Sequence, residues 1–226
     1  ADNKMKKSDL DDYLEETGNL TKSICVSLDK AANLIRSFKL VSVEQHEELL
    51  QYFDVRDNLV DILYSIGPAL KEKNIKIINQ IDKGITLCSF PGVFYQMYTN
   101  LINNALLHAF ENSQSGEITI CADYSANMLN LSFKDNGCGM SEAVLKKVFD
   151  PFFTTKRANG GTGLGMNIIY NLVSDKLLGT LEVHSVQGDG TTFSFSIPNL
   201  NQSSQTVGNQ WTFAVQLSPV YVVVFI

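Results

Sequence analysis

Asn100-Leu101-Ile102-Asn103-Asn104-Ala105-Leu106-Leu107-His108 carries two periods at once. Val93, Phe94, Met97, Leu101, Ile102, Ala105 and Ala109 recur at helical spacing, which predicts a buried stripe. Gln96, Asn100, Asn104 and His108 step by four along another face of the same helix. Upstream, Ser89-Phe90-Pro91-Gly92 opens that helix, because proline in the first turn leaves no N–H unpaired. Asparagine is a poor helix former, since its amide competes for the backbone. Asn100, Asn103 and Asn104 together therefore ask for a role beyond solvation. A plain solvated polar face is the alternative, and two glycine clusters downstream weigh against it.

The first cluster is Asp135-Asn136-Gly137-Cys138-Gly139-Met140, directly after an expected strand. The second is Gly160-Gly161-Thr162-Gly163-Leu164-Gly165-Met166, directly before an expected helix. Glycine lets a backbone approach a ligand closely, and a helix N-terminus presents free N–H groups to an anion. Taken singly, each cluster is a tight turn. Neither is a phosphate loop of the Walker type, because no Gly-Lys-Ser/Thr ends it. The second matches a dinucleotide fingerprint in part, but no strand runs directly into it. Together with the asparagine face they suggest a nucleotide. Asn104 can offer an amide oxygen to Mg²⁺, a hard cation that takes a few protein oxygens beside phosphate and water. The helix expected at Gly163 can hold phosphates. Asp135 is an acceptor-only carboxylate at a strand end, suited to the exocyclic amine of adenine. Guanine places a carbonyl there, so ATP is expected over GTP.

Around this centre, 226 residues suffice for one substantial core with a smaller appendage. The net charge of −6 argues against a nucleic-acid binder working by phosphate neutralisation. Lysines cluster only at Lys4, Lys6 and Lys7. Cys25, Cys88, Cys121 and Cys138 are far apart with no CxxC pair, which suggests free thiols in a reducing compartment. The expected location is the cytoplasm, including the cytoplasmic part of a membrane-anchored protein. No signal peptide or membrane-length apolar run is visible, and the chain begins without methionine, as a piece of a longer protein would.

Residues 8–38 read as an amphipathic helix in a heptad rhythm through Leu10, Tyr13, Thr17, Leu20, Ile24, Ala31, Leu34 and Phe38. Gly18 weakens its middle. Such a stripe needs a partner, most simply a second copy of the chain or a helix missing from this piece. A connector over residues 40–57 contains His46-Glu47-Glu48. Asp57 is expected to cap a helix through Leu59, Ile62, Leu63, Ile66 and Leu70, with Pro68 disturbing it. Ile75 to Ile81 reads as a strand turned back at Gly84. Glu117 to Tyr124 and Met128 to Lys134 read as a hairpin around Ser125-Ala126-Asn127. Asp135 to Lys156 is a long loop with a short helix near Glu142 to Val148, and loops of that length are usually functional. Gly163 opens another helix, stopped by Gly179. Thr180 to Ser185 and Thr191 to Ile197 are the last strands, closed by Pro198. The expected division is a helical segment over 1–45, a nucleotide-binding domain over 46–198, and a tail over 199–226 that begins as a polar linker and ends in a β-branched run with no functional reading.

Four boxes now stand in order. They are Asn100…Asn104…His108; Asp135-Asn136-Gly137-Cys138-Gly139; Phe149-Asp150-Pro151-Phe152-Phe153-Thr154-Thr155-Lys156; and Gly161-Thr162-Gly163-Leu164-Gly165. Over roughly residues 8–198 the chain resembles the ATP-binding catalytic domain of sensor histidine kinases, with the second helix of the dimerisation bundle attached. Gly188-Asp189-Gly190-Thr191-Thr192-Phe193 followed by Pro198 resembles that family's closing strand. The resemblance implies an α/β sandwich of the kinase and gyrase type, a mixed sheet packed on helices, preceded by the bundle helix. It implies that Asn104 holds Mg²⁺ and Asn100 supports the metal and phosphate region. Asp135 would read adenine, while Gly137 and Gly139 line the base pocket. Gly161, Gly163, Leu164 and Gly165 would admit the phosphates, and Thr155 and Lys156 would belong to a lid. Thr192 would contact the surroundings of adenine. Phe149, Phe152 and Phe153 would anchor the lid by packing. His108 would touch phosphate or serve helix packing, and His184 would be structural.

One departure matters. The family transfers the γ-phosphoryl group of ATP to a histidine beside an acid and before a proline, on the first helix of a dimeric bundle. No such box is visible here. His46-Glu47 has the acid but lacks the proline and follows the helix, so it reads as a connector histidine. The resemblance implies a histidine protein kinase fragment that binds ATP and Mg²⁺ without labelling itself. Its implied partners are the acceptor-histidine helix of the parent protein, a response-regulator receiver domain and a second copy through the N-terminal helix. An ATP-gated interaction module without transfer is one alternative. An ATPase of the wider superfamily is another, disfavoured because Asn100 stands where such ATPases resemble carrying a glutamate base.

Overall fold

The computed structural model describes residues 49–111, 113, 115–157 and 161–200, with 13, 16–18, 20–21 and 23–24 from the N-terminal segment. The described N-terminal residues are helical, and Tyr13, Leu20 and Ile24 on the expected stripe are exposed. Most of the expected bundle helix, His46, Gly160 and the tail from 201 onward lie outside the described residues.

The chain enters through strand β1 (Gln51–Asp54) and helix α1 (Val55–Glu72). Strands β2 (Ile75–Ile81) and β3 (Thr86–Ser89) follow. Helix α2 (Pro91–Asn104) begins with Pro91 in its first turn, as the sequence predicts, and passes without a break into a π-helical turn over Ala105–Ala109. The hairpin β4 (Gly116–Ser125) and β5 (Met128–Asp135) turns on Ala126 and Asn127, both at positive φ. Then come α3 (Glu142–Leu145), α4 (Gly165–Asn171) with a π-helical turn over Leu172–Lys176, and strands β6 (Thr180–Val186) and β7 (Gly190–Pro198).

The large sheet runs β2-β4-β5-β7-β6. Only β2 and β4 are parallel; the other pairs are antiparallel, so the sheet is mixed as expected. Strand residues alternate between a buried and a solvated face. Leu129, Leu131, Phe133 and Asp135 share the buried side of β5, opposite Ile197, Phe195, Phe193 and Thr191 of β7. Leu59 and Ile62 of α1, Phe94, Met97, Leu101 and Ile102 of α2, and Ile169 of α4 join that side in one core. Asn130, Ser132, Lys134, Ser194 and Glu182 lie on the other, polar side. No described helix is long and apolar enough to cross a membrane.

Five local expectations are corrected. The cap of α1 is Asp54, whose carboxylate accepts the Asp57 N–H at 2.9 Å and the Gly84 N–H at 2.8 Å. Asp57 is therefore a first-turn residue. The helix runs on through Pro68 to Glu72. β1 and β3, read as connector and helix approach, form an antiparallel pair. Leu178, at φ 52, makes the turn out of the last helix that Gly179 was expected to make. Asn199 and Leu200, expected to open a linker, instead bond to Cys88 of β3: Cys88 N–H donates to Asn199 Oδ1 at 2.9 Å, and Leu200 N–H to the Cys88 carbonyl at 2.9 Å.

Candidate nucleotide-binding site

The apolar stripe of α2 locks the helix on the sheet, which leaves Asn100 and Asn104 facing the start of α4. A Cβ on Gly165 would lie 3.4 Å from both amide heteroatoms of Asn104 and 3.6 Å from Asn100 Oδ1. Asn104 and Gly165, 61 positions apart in sequence, thus meet at one point. The helix expected from Gly163 begins at Gly165, behind a sharp turn. Gly163 has φ +71, and a side chain there would press within 2.5 Å of the Phe152 backbone.

Asn104 Nδ2 is buried and has no hydrogen-bond partner. A buried amide nitrogen without a partner costs about 1–3 kcal/mol unless a ligand completes it. As placed, the nitrogen suits a phosphate oxygen. A half-turn of the amide presents the oxygen that a hard cation takes. Among the described residues no three His, Cys, Asp or Glu gather around a metal. The Asn104 amide oxygen is of the hard donor type that Mg²⁺ takes beside phosphate and water.

The π-helical turn continues α2 to His108 and Ala109, and π turns concentrate at functional sites. There the first glycine loop docks. Cys138 N–H donates to the Ala109 carbonyl at 3.0 Å, and a Cβ on Gly137 would meet Ala109 Cβ at 2.4 Å. Gly139 has φ +62, and a Cβ on it would fall 2.0 Å from the Val186 carbonyl oxygen. Asp135 ends β5 only 3% exposed, its Oδ1 accepting the Gly137 N–H at 2.9 Å. Burial pushes its carboxyl above the usual range, against the pull of the Gly137 and Thr191 backbone donors.

Thr192 is not beside Asp135. It pairs with Lys134 and His184 on the solvated face, and the core-face neighbour across from Asp135 is Thr191. The period of two decides this, and one residue of offset inverts it. Ser185 was also missed. Its hydroxyl accepts the Met140 N–H at 2.8 Å, donates to the Gly190 carbonyl at 2.9 Å and lies 2.9 Å from Thr191 Oγ1, which ties the glycine loop to β6 and β7. A lone serine at a strand end carries no sequence signal that would have singled it out.

The remaining loop crosses to α2. Thr155 Oγ1 lies 3.2 Å from His108 Nδ1, and Lys156 Nζ forms an ion pair with Glu111. The Gly161 N–H donates to the Lys156 carbonyl at 3.0 Å. Phe149 stacks near Tyr170 with ring centroids 5.8 Å apart. Phe152, expected to anchor by packing, is instead 53% exposed at φ 64, while Arg157 donates to its carbonyl. Leu164 is buried and caps α4.

Burial first, and then the Lys156 charge, holds the His108 imidazole below its ordinary value of 6.5. The unfolded chain therefore takes up this proton first as pH falls. The contribution to stability is complete above about pH 6.5 and is lost as pH drops through that value toward the folded-state pKa. Between neutral pH and about pH 5, wild-type melting should fall more steeply than that of His108→Gln. Parallel slopes would show that His108 does not carry the effect.

Residues 91–201 match the family described as histidine kinase-, DNA gyrase B-, and HSP90-like ATPase. The chain carries the catalytic domain of a sensor histidine kinase. It is 37% identical over 149 residues to the signal transduction histidine-protein kinase AtoS of Escherichia coli K12, covering 65% of this chain and 24% of AtoS. It is 29% identical over 197 residues to the peroxide stress-activated histidine kinase mak2 of Schizosaccharomyces pombe, covering 81% of this chain and 8% of mak2. The chain thus spans about a quarter or less of these curated relatives. In fold it is similar to the catalytic domain of histidine kinase ThkA, with TM-score 0.58 and 24% identity over 67% of this chain and 96% of that one. It is also similar to histidine kinase AdeS of Acinetobacter baumannii, with TM-score 0.59 and 19% identity over 88% and 87% of the two chains.

Proposed function

We propose that this kinase domain binds ATP with Mg²⁺ and positions the γ-phosphoryl group for transfer to a histidine on a bundle helix of the parent protein. The three histidines of this chain, His46, His108 and His184, all lack the acid-and-proline context of an acceptor. The observation that carries the reading is the seat of Gly165 on the Asn100 and Asn104 amides, with one of them open. Asp135, buried at the end of β5, would accept from the adenine amine. The triphosphate would then run from the Asp135 end toward Asn104 and the backbone of Gly161 to Gly165. Phosphoryl transfer asks for positioning and charge neutralisation, with little covalent work from the protein. Mg²⁺ would supply neutralisation of the developing phosphate charge. The chain's own part is to hold the base, aim the tail and offer backbone donors at the start of α4.

The partners proposed are a second copy through the N-terminal helix, whose described stripe residues are exposed, and a receiver domain. The ThkA structure in complex with the response regulator TrrA supports the latter by analogy of fold. The proposed location is the cytoplasm, in keeping with the free thiols of Cys88, Cys121 and Cys138 among the described residues.

Asn104→Ala tests the site. Titration calorimetry should show wild-type ATP affinity rising with Mg²⁺ by about tenfold or more, and the variant losing that dependence while melting as wild type does. Equal affinities in both proteins, with and without Mg²⁺, would remove Asn104 from the metal. Mixing with a separate acceptor-helix domain should yield acid-labile label on that helix. Binding without transfer would favour the nucleotide-gated module.

A further inference from the structure

Lys156 is the cation that the loop brings to the end of α2, where its ammonium is already paired with Glu111. Its backbone is fixed from both sides. The Lys156 N–H donates to Thr154 Oγ1 at 3.0 Å, and its carbonyl accepts the Gly161 N–H. The neighbouring Thr155 is held at His108, four residues beyond Asn104. Its ammonium pairs with Glu111, three residues further on. Glu111 is itself well placed. The preceding Phe110 is buried at the end of the π-helical turn and wedges against Gly116, where any Cβ would meet its ring at 2.4 Å. Both side chains of the pair are mostly covered, with 22% of Lys156 and 33% of Glu111 exposed. Glu111 lies seven positions beyond Asn104, past the end of the π-helical turn at Ala109. An ammonium at Glu111 cannot also neutralise a phosphate bound at Asn104. The stem of lysine is long and flexible enough to serve either.

We propose that Glu111 is a specificity residue that narrows the preference of this site for a nucleoside triphosphate over a diphosphate, by holding Lys156 until a γ-phosphate competes for it. The inference rests on the nucleotide reading above. A terminal phosphate at the Asn104 end carries the charge that draws Lys156 across. A diphosphate ends short of that point and leaves the Lys156–Glu111 pair intact. Glu111 thereby lowers triphosphate affinity and leaves diphosphate affinity nearly untouched. It is a positioning residue, acting through Lys156.

The test is calorimetric binding of a non-hydrolysable ATP analogue and of ADP, each with Mg²⁺, to wild type, Glu111→Gln, Lys156→Gln and the double variant. Glu111→Gln should bind the analogue about fivefold more tightly, the scale of one partly covered ion pair, with ADP changed by less than about twofold. In the Lys156→Gln background the same substitution should leave the ratio of the two affinities unaltered. The proposal is overturned if Glu111→Gln leaves the analogue unchanged or weakens it. It is equally overturned if ADP tightens by the same factor, since the carboxylate would then act only as a nearby negative charge. Wild type binding neither nucleotide would sink the nucleotide reading itself. Wild type binding the analogue with no shift in ratio would sink only the role of Glu111.

Discussion

Asp135→Asn is expected to weaken ATP binding by roughly 30- to 150-fold, the value of a lost charge-assisted hydrogen bond in a dry pocket, and to leave the nucleotide-free domain as stable as wild type or more so. Both halves follow from one side chain. Asp135 is almost wholly buried at the end of β5, and burial raises its carboxyl against two backbone donors. A carboxyl raised in the folded state contributes stability in acid that is lost as pH climbs through the folded value. Ionising Asp135 in the folded domain therefore costs stability, which is the usual signature of a residue kept for a ligand. Asparagine keeps an oxygen for the Gly137 N–H, now 2.9 Å from Oδ1, and removes the buried charge. It also offers an amide that no longer excludes guanine, so discrimination against GTP should shrink. Calorimetry with ATP and GTP, beside melting of the free protein, reads all three effects. Wild-type ATP affinity in the variant would put the adenine amine elsewhere.

Gly139→Ala should lower the melting temperature by roughly 6–12 °C, about 3 kcal/mol in a domain of this size. Two costs combine. Gly139 has φ +62, where a side chain costs about 1–2 kcal/mol, and the added Cβ would stand 2.0 Å from the Val186 carbonyl oxygen. That oxygen is backbone at the end of β6 and cannot rotate aside. Gly188 separates the terms, because it has φ +93 but open space around its Cβ position. Gly188→Ala should show the conformational cost alone. Gly137→Ala shows the converse, a collision with Ala109 without a positive φ. If Gly139→Ala melted within a degree or two of Gly188→Ala, the close approach of the loop to β6 would be wrong.

The long elements were legible because each carries its own period. The stripe of α2, the alternation in β4 to β7 and Pro91 in the first turn all follow from neighbours within a few residues. β1 and β3 were not legible. Each is four residues long, and each becomes a strand only by pairing with the other. Thr191 and Thr192 look alike in sequence until the register with Asp135 assigns them to opposite faces. Phe152 was grouped with Phe149 and Phe153, and only its backbone conformation and exposure set it apart.

The amino-acid sequence alone determined the family, the order of its four boxes and the chemical types available to a nucleotide, since amides, a lone acid and clustered glycines declare themselves by identity and local spacing. Tertiary structure alone decided which of them touch. Cys88 meets Asn199 across 111 positions and Lys156 meets Glu111 across 45. Contacts of that span leave no period in the chain; they exist only once the sheet and helices have packed and brought distant loops to one end of the fold.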